Sequence, residues 1–92
     1  MVFVDGLFQS GPTKKWPYAY ACHMFADCLG ELDDHAVHIG LKLEWRQGQT
    51  GFVHYDLTMA KRALAIRCGA VELDRHATAA FINAARRKEQ KQ

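Results

Sequence analysis

The segment Val53–Ala70 carries the strongest local structural signals in the chain. Its first part, Val53–Thr58, is typical of a strand, and a helical pattern follows it directly. The side-chain oxygen of Asp56 or Thr58 can accept a hydrogen bond from the free N–H groups at the start of that helix. Gly69 can end the helix, because glycine adopts a left-handed conformation without a Cβ clash. The segment therefore predicts a strand that runs straight into a helix.

Two cations, Lys61 and Arg62, fall in the first turns of this helix. The positive end of the helix dipole disfavours cations by about a few tenths of a kcal/mol, so an anion bound nearby would explain their position. Free N–H groups at a helix start hold phosphate, and charged side chains strengthen that binding. Together with His54 and Tyr55 they predict an anion pocket. The alternative is a surface ion pair of Arg62 with Asp56 or Glu72, which has no functional meaning.

The composition limits the class of protein. A chain of 92 residues with 49% hydrophobic and 24% charged residues predicts one globular domain, 1–92, with a core small enough to be compatible with a homodimer. The net charge of +2 is too small to indicate nucleic-acid binding by itself. Three cysteines without C-x-x-C spacing favour a reducing cytosol. We expect no signal peptide and no membrane span, and hence a cytoplasmic protein.

Hydrophobic periodicity predicts an α/β fold, with α+β as the alternative. We expect a small single-layer mixed sheet of about four to five strands, with about three helices mainly on one face. Asp74 is predicted to cap the last helix, which covers 75–92. The predicted strands are 1–4, 18–26, 41–47, 52–55 and 70–73, and the other two helices are 28–39 and the one that follows Thr58.

The segment 6–17 is predicted to be a long loop. It contains two glycines and two prolines, and a loop of this length in a small domain is usually functional or mobile. Trp16 lies within it. Tryptophan is common both as a cover over a core and as a platform for a ligand, so both roles stay open here.

Three aspartates, Asp5, Asp27 and Asp56, each follow a predicted strand, and His23 and His54 lie just before two of them. Ligands in open α/β sheets bind outside the carboxyl ends of strands, so these groups would meet if the strands were parallel neighbours. Such a carboxylate set predicts Mg²⁺ or Mn²⁺ and metal-assisted phosphoryl hydrolysis. The alternative is a purely structural role for each aspartate as a cap or turn residue.

Several short segments carry a resemblance to a known family: Val4-Asp5, Cys22-His23-Met24, Asp27, Glu31-Leu32, Gly40-Leu41, Trp45, Gln47, His54-Tyr55-Asp56-Leu57-Thr58, Lys61-Arg62 and Gly69-Ala70-Val71. Through these residues the chain resembles the domain of unknown function 4031 family over Val4–Glu72. That family consists of small bacterial and bacteriophage proteins without an established activity, so the resemblance implies origin and not mechanism. The last helix, 75–92, is expected to lie outside the resemblance.

These observations lead to three functional hypotheses. The first is a phage- or prophage-type accessory protein that binds a phosphate-bearing ligand, either a nucleotide or nucleic acid, without turnover. The second is a metal-dependent phosphoesterase or nuclease that uses Asp5, Asp27 and Asp56. The third is an inhibitor of a host nucleoprotein or defence complex that acts through its surface. The predicted ligand-binding residues are Asp5, Trp16, His23, His54, Tyr55, Asp56, Lys61 and Arg62.

Overall fold

Strand β3 (Tyr20–Ala26) is the centre of the sheet in the computed structural model, which describes residues 1–48 and 51–90, with side chains through 87. Within those residues the sheet is mixed, has five strands and is accompanied by three α-helices, which confirms the predicted small α/β domain. No described helix is long and apolar enough to cross a membrane. The other elements are β1 (Val2–Val4), β2 (Phe8–Gln9), α1 (Leu29–His38), a 3₁₀ helix (Leu43–Trp45), β4 (Tyr55–Leu57), α2 (Met59–Arg67), β5 (Val71–Glu72) and α3 (Arg75–Gln90).

Strand β3 pairs antiparallel with β1, with β2 and with β4. Strand β1 also pairs in parallel with β5, which makes the sheet mixed. The strands before the three aspartates are therefore not parallel neighbours, which was the condition under which the sequence brought these residues together. In the observed register Val4 lies opposite Met24, and His23 lies opposite Asp56. Residues of β4 and of the end of β1 therefore lie beside neighbouring residues of β3.

The two faces of the sheet bury different side chains. On one face, residues such as Cys22, Met24 and Leu57 are fully buried and form the main core with apolar residues of α1 and α2. On the other face Phe25 is fully buried, and its ring lies 4.7 Å from the ring of Phe81 in α3. The strict alternation of side chains along β3 thus separates an aliphatic core from an aromatic face.

The predicted helix boundaries are explained by specific caps. The hydroxyl of Thr58 accepts a hydrogen bond from the N–H of Lys61 at 3.2 Å, so Thr58 and not Asp56 caps α2. Asp74 caps α3 by accepting from the N–H of Ala77 at 2.8 Å. Gly69 follows α2 with φ of 110°, a conformation that only glycine adopts cheaply. Because Thr58 caps α2, Asp56 is available for other contacts.

Three predicted elements differ from the structure. The segment 41–47 alternates like a strand, but within the described residues its strand pairing is limited to Gln47, and Leu43–Trp45 forms the 3₁₀ helix. The predicted loop 6–17 contains β2. The predicted strand 52–55 begins only at Tyr55, and the hairpin before it is reduced to a bridge between Gln47 and His54. The predicted turn of that hairpin includes Gln49 and Thr50, which lie outside the described residues.

Candidate metal centre and its pocket

The register of β3 places His23 in a row between two carboxylates. Asp5 follows β1 and meets His23 from one side, since its backbone N–H donates to the carbonyl of His23 at 3.2 Å. Asp56 is the register partner of His23 on the other side. His54 lies two residues before Asp56 and therefore on the same face of its strand. The sheet thus brings Asp5, His23, His54 and Asp56 together, as the sequence predicted.

Asp5 fixes the orientation of His23 with both carboxylate oxygens. Oδ1 accepts the backbone N–H of His23 at 2.6 Å, and Oδ2 lies 2.7 Å from its ring Nδ1. Because an ionised carboxylate can only accept, Nδ1 is the donor. In the neutral imidazole the other ring nitrogen, Nε2, then carries a free lone pair.

His54 is held in the same way by a different acceptor. Its Nδ1 lies 3.0 Å from the carbonyl oxygen of Phe52, and a carbonyl can only accept. The Nε2 of neutral His54 therefore also presents a lone pair, and it lies 3.5 Å from Oδ1 of Asp56. The rings of His54 and His23 are 5.0 Å apart and nearly perpendicular. A lone pair that faces a carboxylate is stabilised when a proton or a metal ion lies between them.

The electrostatic surroundings of His54 and Asp56 favour a positive charge between them. Burial alone would lower the pKa of His54, but the Asp56 carboxylate and the Phe52 carbonyl outweigh it, and the pKa is raised above its usual value. The His54 ring lowers the pKa of Asp56 in spite of burial. The pair is thus arranged to share a cation.

Two imidazoles and one carboxylate are a known metal-binding combination. Ligand atoms of His23, His54 and Asp56 all lie within 4.8 Å of one another. Because ligand atoms bind zinc at about 2.0–2.2 Å, small side-chain rotations would close this cluster onto one ion. Gln47 donates to Oδ2 of Asp56, and Asp5 holds the far nitrogen of His23. Such outer hydrogen bonds orient the ligands of metal sites in proteins.

The cluster opens into a cavity of about 410 Å³. Phe8 and Trp16 supply aromatic surface to its lining, and Lys15 supplies a cation. Lys15 forms no ion pair with any residue that the structure describes. The hydroxyl of Ser10, another lining residue, is buried without a hydrogen-bond partner in the described part of the chain. The predicted loop 6–17 thus forms one wall of the pocket.

Lys61 and Arg62, predicted to line the anion pocket, have other contacts. Lys61 Nζ donates to the carbonyl of Ile39 at 2.5 Å, at the carboxyl end of α1. Arg62 Nε donates to the backbone carbonyl of Asp5 at 2.9 Å, and its guanidinium pairs with Glu72, also at 2.9 Å. Both cations therefore have internal acceptors, and the predicted anion pocket around them is not formed. Arg62 supports the site indirectly by holding the backbone of Asp5.

Two further predicted site residues lie elsewhere. Tyr55 is fully buried on the opposite face of β4 and donates its hydroxyl to Asp33 at 2.7 Å. Asp27 is exposed beyond the far end of β3 and binds the amino group of Met1 at 2.8 Å. Asp27 therefore cannot join Asp5 and Asp56, and a site built from these three aspartates is not formed.

The sequence signals missed the contributions of Gln47 and Lys15. Gln47 reaches Asp56 through the single bridge to His54, a pairing that local periodicity does not reveal. Lys15 lies in the predicted loop 6–17, whose length indicated a functional or mobile segment but did not single out Lys15. Cys22, beside His23 in sequence, points into the core, where burial raises the pKa of its thiol to about 12. It is therefore neither a ligand nor a nucleophile.

The site lies within a stretch shared with other proteins. The model of a family described as "Protein of unknown function (DUF4031)" matches residues 2–85. The chain belongs to this family. The DUF4031 match includes every residue of the cluster and the pocket, and it extends through most of α3. No curated protein and no solved structure matches the chain significantly.

Proposed function

We propose that this DUF4031 protein is a metal-dependent phosphoesterase. One observation carries the proposal: ligand atoms of His23, His54 and Asp56 lie within 4.8 Å of one another, and all three residues line an open pocket. Both Nδ1 atoms are already bound to acceptors, so the arrangement is preorganised for a divalent ion.

Three protein ligands leave positions on a divalent ion for water or substrate. An ion bound in this way lowers the pKa of its water to about 7 and makes it a nucleophile at neutral pH. Hydrolysis would form a bond between the water oxygen and phosphorus and break the ester P–O bond. The water proton would end on the leaving alkoxide oxygen. The reaction consumes one water and needs no further reactant.

The charge of the pocket supports a phosphate ester as the substrate. Lys15 lines the same cavity and has no carboxylate partner among the described residues. A lysine beside a metal ion can bind the non-bridging oxygens of a phosphoryl group and stabilise the charge that develops on them. Lys15 takes the role that the sequence suggested for Lys61 and Arg62.

The ligand set favours a transition metal over Mg²⁺. Magnesium prefers oxygen ligands, whereas imidazole suits Zn²⁺, Fe²⁺ and related ions. Of the two ions suggested by the sequence, Mn²⁺ is the more compatible with two histidines. Binding by these residues would be weaker at low pH, because both imidazoles must be neutral.

Hydrolysis of p-nitrophenyl phosphate tests this function. Protein stripped with a chelator should be inactive and should regain activity with Zn²⁺, Mn²⁺ or Co²⁺, and the same ions should raise its unfolding midpoint. The variant His54→Ala should lose both effects, while His38→Ala, at an exposed position near the end of α1, should keep them. A midpoint shift without hydrolysis would contradict the phosphoesterase and favour ligand binding without turnover.

A further inference from the structure

We infer that the pocket selects a nucleoside monophosphate, with its phosphate near the metal ligands and Lys15 and its base against the aromatic wall formed by Phe8 and Trp16. The inference rests on the metal-dependent pocket proposed above and adds the class of substrate. Its evidence comes from a different part of the site, the segment 8–16, which contributes no metal ligand.

The aromatic wall is held in place by contacts with other side chains of the protein. The ring of Phe8 packs on the ring of His23 at 5.1 Å with an angle of 30° between their planes. Phe8 nevertheless stays 41% exposed, so much of its surface is available. A flat ligand in the pocket could cover this exposed surface, and burial of apolar surface would favour its binding.

Trp16 is fixed by three separate contacts. Its backbone N–H donates to the hydroxyl of Thr13 at 3.0 Å, and its indole N–H donates to the carbonyl of Tyr20 at 3.4 Å. The ring of Tyr18 meets it edge-on at 5.2 Å. A rigid tryptophan that lines a pocket is a stacking platform for a flat base, and stacking of this kind accepts any of the bases.

Ser10 supplies a polar group that the protein itself leaves unsatisfied. Its backbone N–H is bound to the carbonyl of Ala19 at 2.9 Å, whereas its hydroxyl is buried without a partner in the described residues. Buried hydroxyl groups normally have partners, and rotation of the Ser10 side chain toward the pocket would let an occupant supply the missing bond. The hydroxyl groups of a ribose and the edge of a base can both provide that bond.

The size of the pocket limits the occupant. A cavity of about 410 Å³ falls in the lower part of the range of roughly 300–1,000 Å³ that holds small ligands. It is large enough for one nucleotide and too small for several. A single phosphate would leave the aromatic wall uncovered, which is why the inference names a nucleoside monophosphate.

Binding to the zinc-loaded protein by calorimetry tests this inference. The probes are adenosine 5′-monophosphate and ribose 5-phosphate, which lacks the base, each with a methylene group in place of the ester oxygen so that the proposed hydrolysis cannot consume it, and inorganic phosphate. We expect the nucleotide to bind about tenfold or more tightly than ribose 5-phosphate, in line with the usual contribution of one stacked base. The same titration on metal-free protein tests the preference for a base if the protein does not bind zinc.

Two pairs of variants assign the contacts. Trp16→Leu should weaken the nucleotide about tenfold and leave ribose 5-phosphate unchanged, whereas Trp45→Leu, at an exposed position of the 3₁₀ helix, should change neither. Lys15→Ala should weaken all three probes, and Lys14→Ala, at its exposed neighbour outside the pocket lining, should not.

Equal affinity for the nucleotide and ribose 5-phosphate, or no binding of either, would overturn the inference. Its failure can be told apart from failure of the phosphoesterase. Nucleotide binding with a base preference but without hydrolysis would support the inference and contradict the phosphoesterase. Hydrolysis of phosphate esters without a base preference would do the reverse.

Discussion

The two sides of strand β4 carry two polar clusters that differ in one respect. On one side Tyr55 is buried and donates to Asp33, which also binds Arg46 at 2.5 Å. On the other side His54 and Asp56 face the pocket. The Tyr55 hydroxyl and both Asp33 oxygens meet protein partners, whereas in the His54 cluster the Nδ1 atoms of both imidazoles are bound and their Nε2 atoms have no hydrogen-bond donor among the described residues.

This difference separates a structural network from a binding site. Burial and the Asp33 carboxylate raise the pKa of Tyr55 to about 12, so its hydroxyl is a permanent donor. In that network the carboxylate of Asp33 is satisfied by protein donors. In the proposed metal centre, a cation shared among His23, His54 and Asp56 would supply the partner that the protein itself does not.

The largest expected effect is the loss of a metal ligand. His54→Ala should weaken zinc binding by about 100-fold or more, because it removes one of three protein ligands. Its metal-free stability should fall by about 1–2 kcal/mol, because the substitution also removes the hydrogen bond to Phe52 and the packing against the ring of His23. Competition with a chromophoric chelator measures the affinity. Unchanged zinc affinity would place the metal elsewhere.

The second-largest expected effect on zinc affinity is that of replacing Asp5, the residue that orients His23. In Asp5→Asn the amide oxygen can still accept the backbone N–H of His23, and the amide NH₂ then faces Nδ1 and favours the tautomer protonated on Nε2. Zinc affinity should fall about 10–100-fold, as is usual when such an orienting group is lost. The matched control is Asp27→Asn at the far end of β3, for which any comparable loss would contradict the account.

A substitution at Tyr55, on the opposite side of β4, should change the stability of the protein and leave zinc affinity unchanged. Tyr55→Phe removes the hydroxyl that satisfies Asp33 and should lower the free energy of unfolding by about 1–2 kcal/mol. Urea denaturation of the metal-free protein measures this loss. Zinc affinity should stay at the wild-type value, and a parallel fall in affinity would mean that the two clusters are coupled.

The smallest effect is a pH dependence of the metal-free protein. The pKa of His54 is raised above 6.5, so its contribution to stability is complete below pH 6.5 and is lost as the pH rises through that raised value. The pKa of Asp56 is lowered from 3.8, so its contribution is present above pH 3.8 and is lost on further acidification. Urea denaturation should therefore show the difference between wild type and His54→Asn to be largest between these limits, at about 1 kcal/mol or less. A difference that grows above pH 8 would contradict the assigned contacts.

The sequence predicted the members of the cluster better than the reason for their convergence. Asp5, His23, His54 and Asp56 were expected to meet at the ends of parallel strands, and they meet instead across antiparallel ones. Alternation and turn residues reveal where a strand lies but not which strand lies beside it, because pairing depends on contacts distant in sequence.

The same limit explains the errors around α2 and the segment 41–47. The helix dipole made an anion near Lys61 reasonable, yet the carboxyl end of α1 supplied a backbone carbonyl that no local pattern indicates. Leu43 and Trp45 alternate with polar residues, yet they lie in the 3₁₀ helix and both are about half exposed. Local signals were reliable where a cap or a glycine decided the outcome, as at Asp74 and Gly69.

X-ray absorption of the zinc-loaded protein tests the central claim most directly. The account predicts one zinc ion per chain with two imidazole nitrogens at about 2.0–2.1 Å and oxygen ligands at about 2.0–2.2 Å. His23→Ala or His54→Ala should each remove one imidazole from the spectrum. A sulfur shell near 2.3 Å, or a coordination shell unchanged by both substitutions, would contradict a metal centre formed by His23, His54 and Asp56.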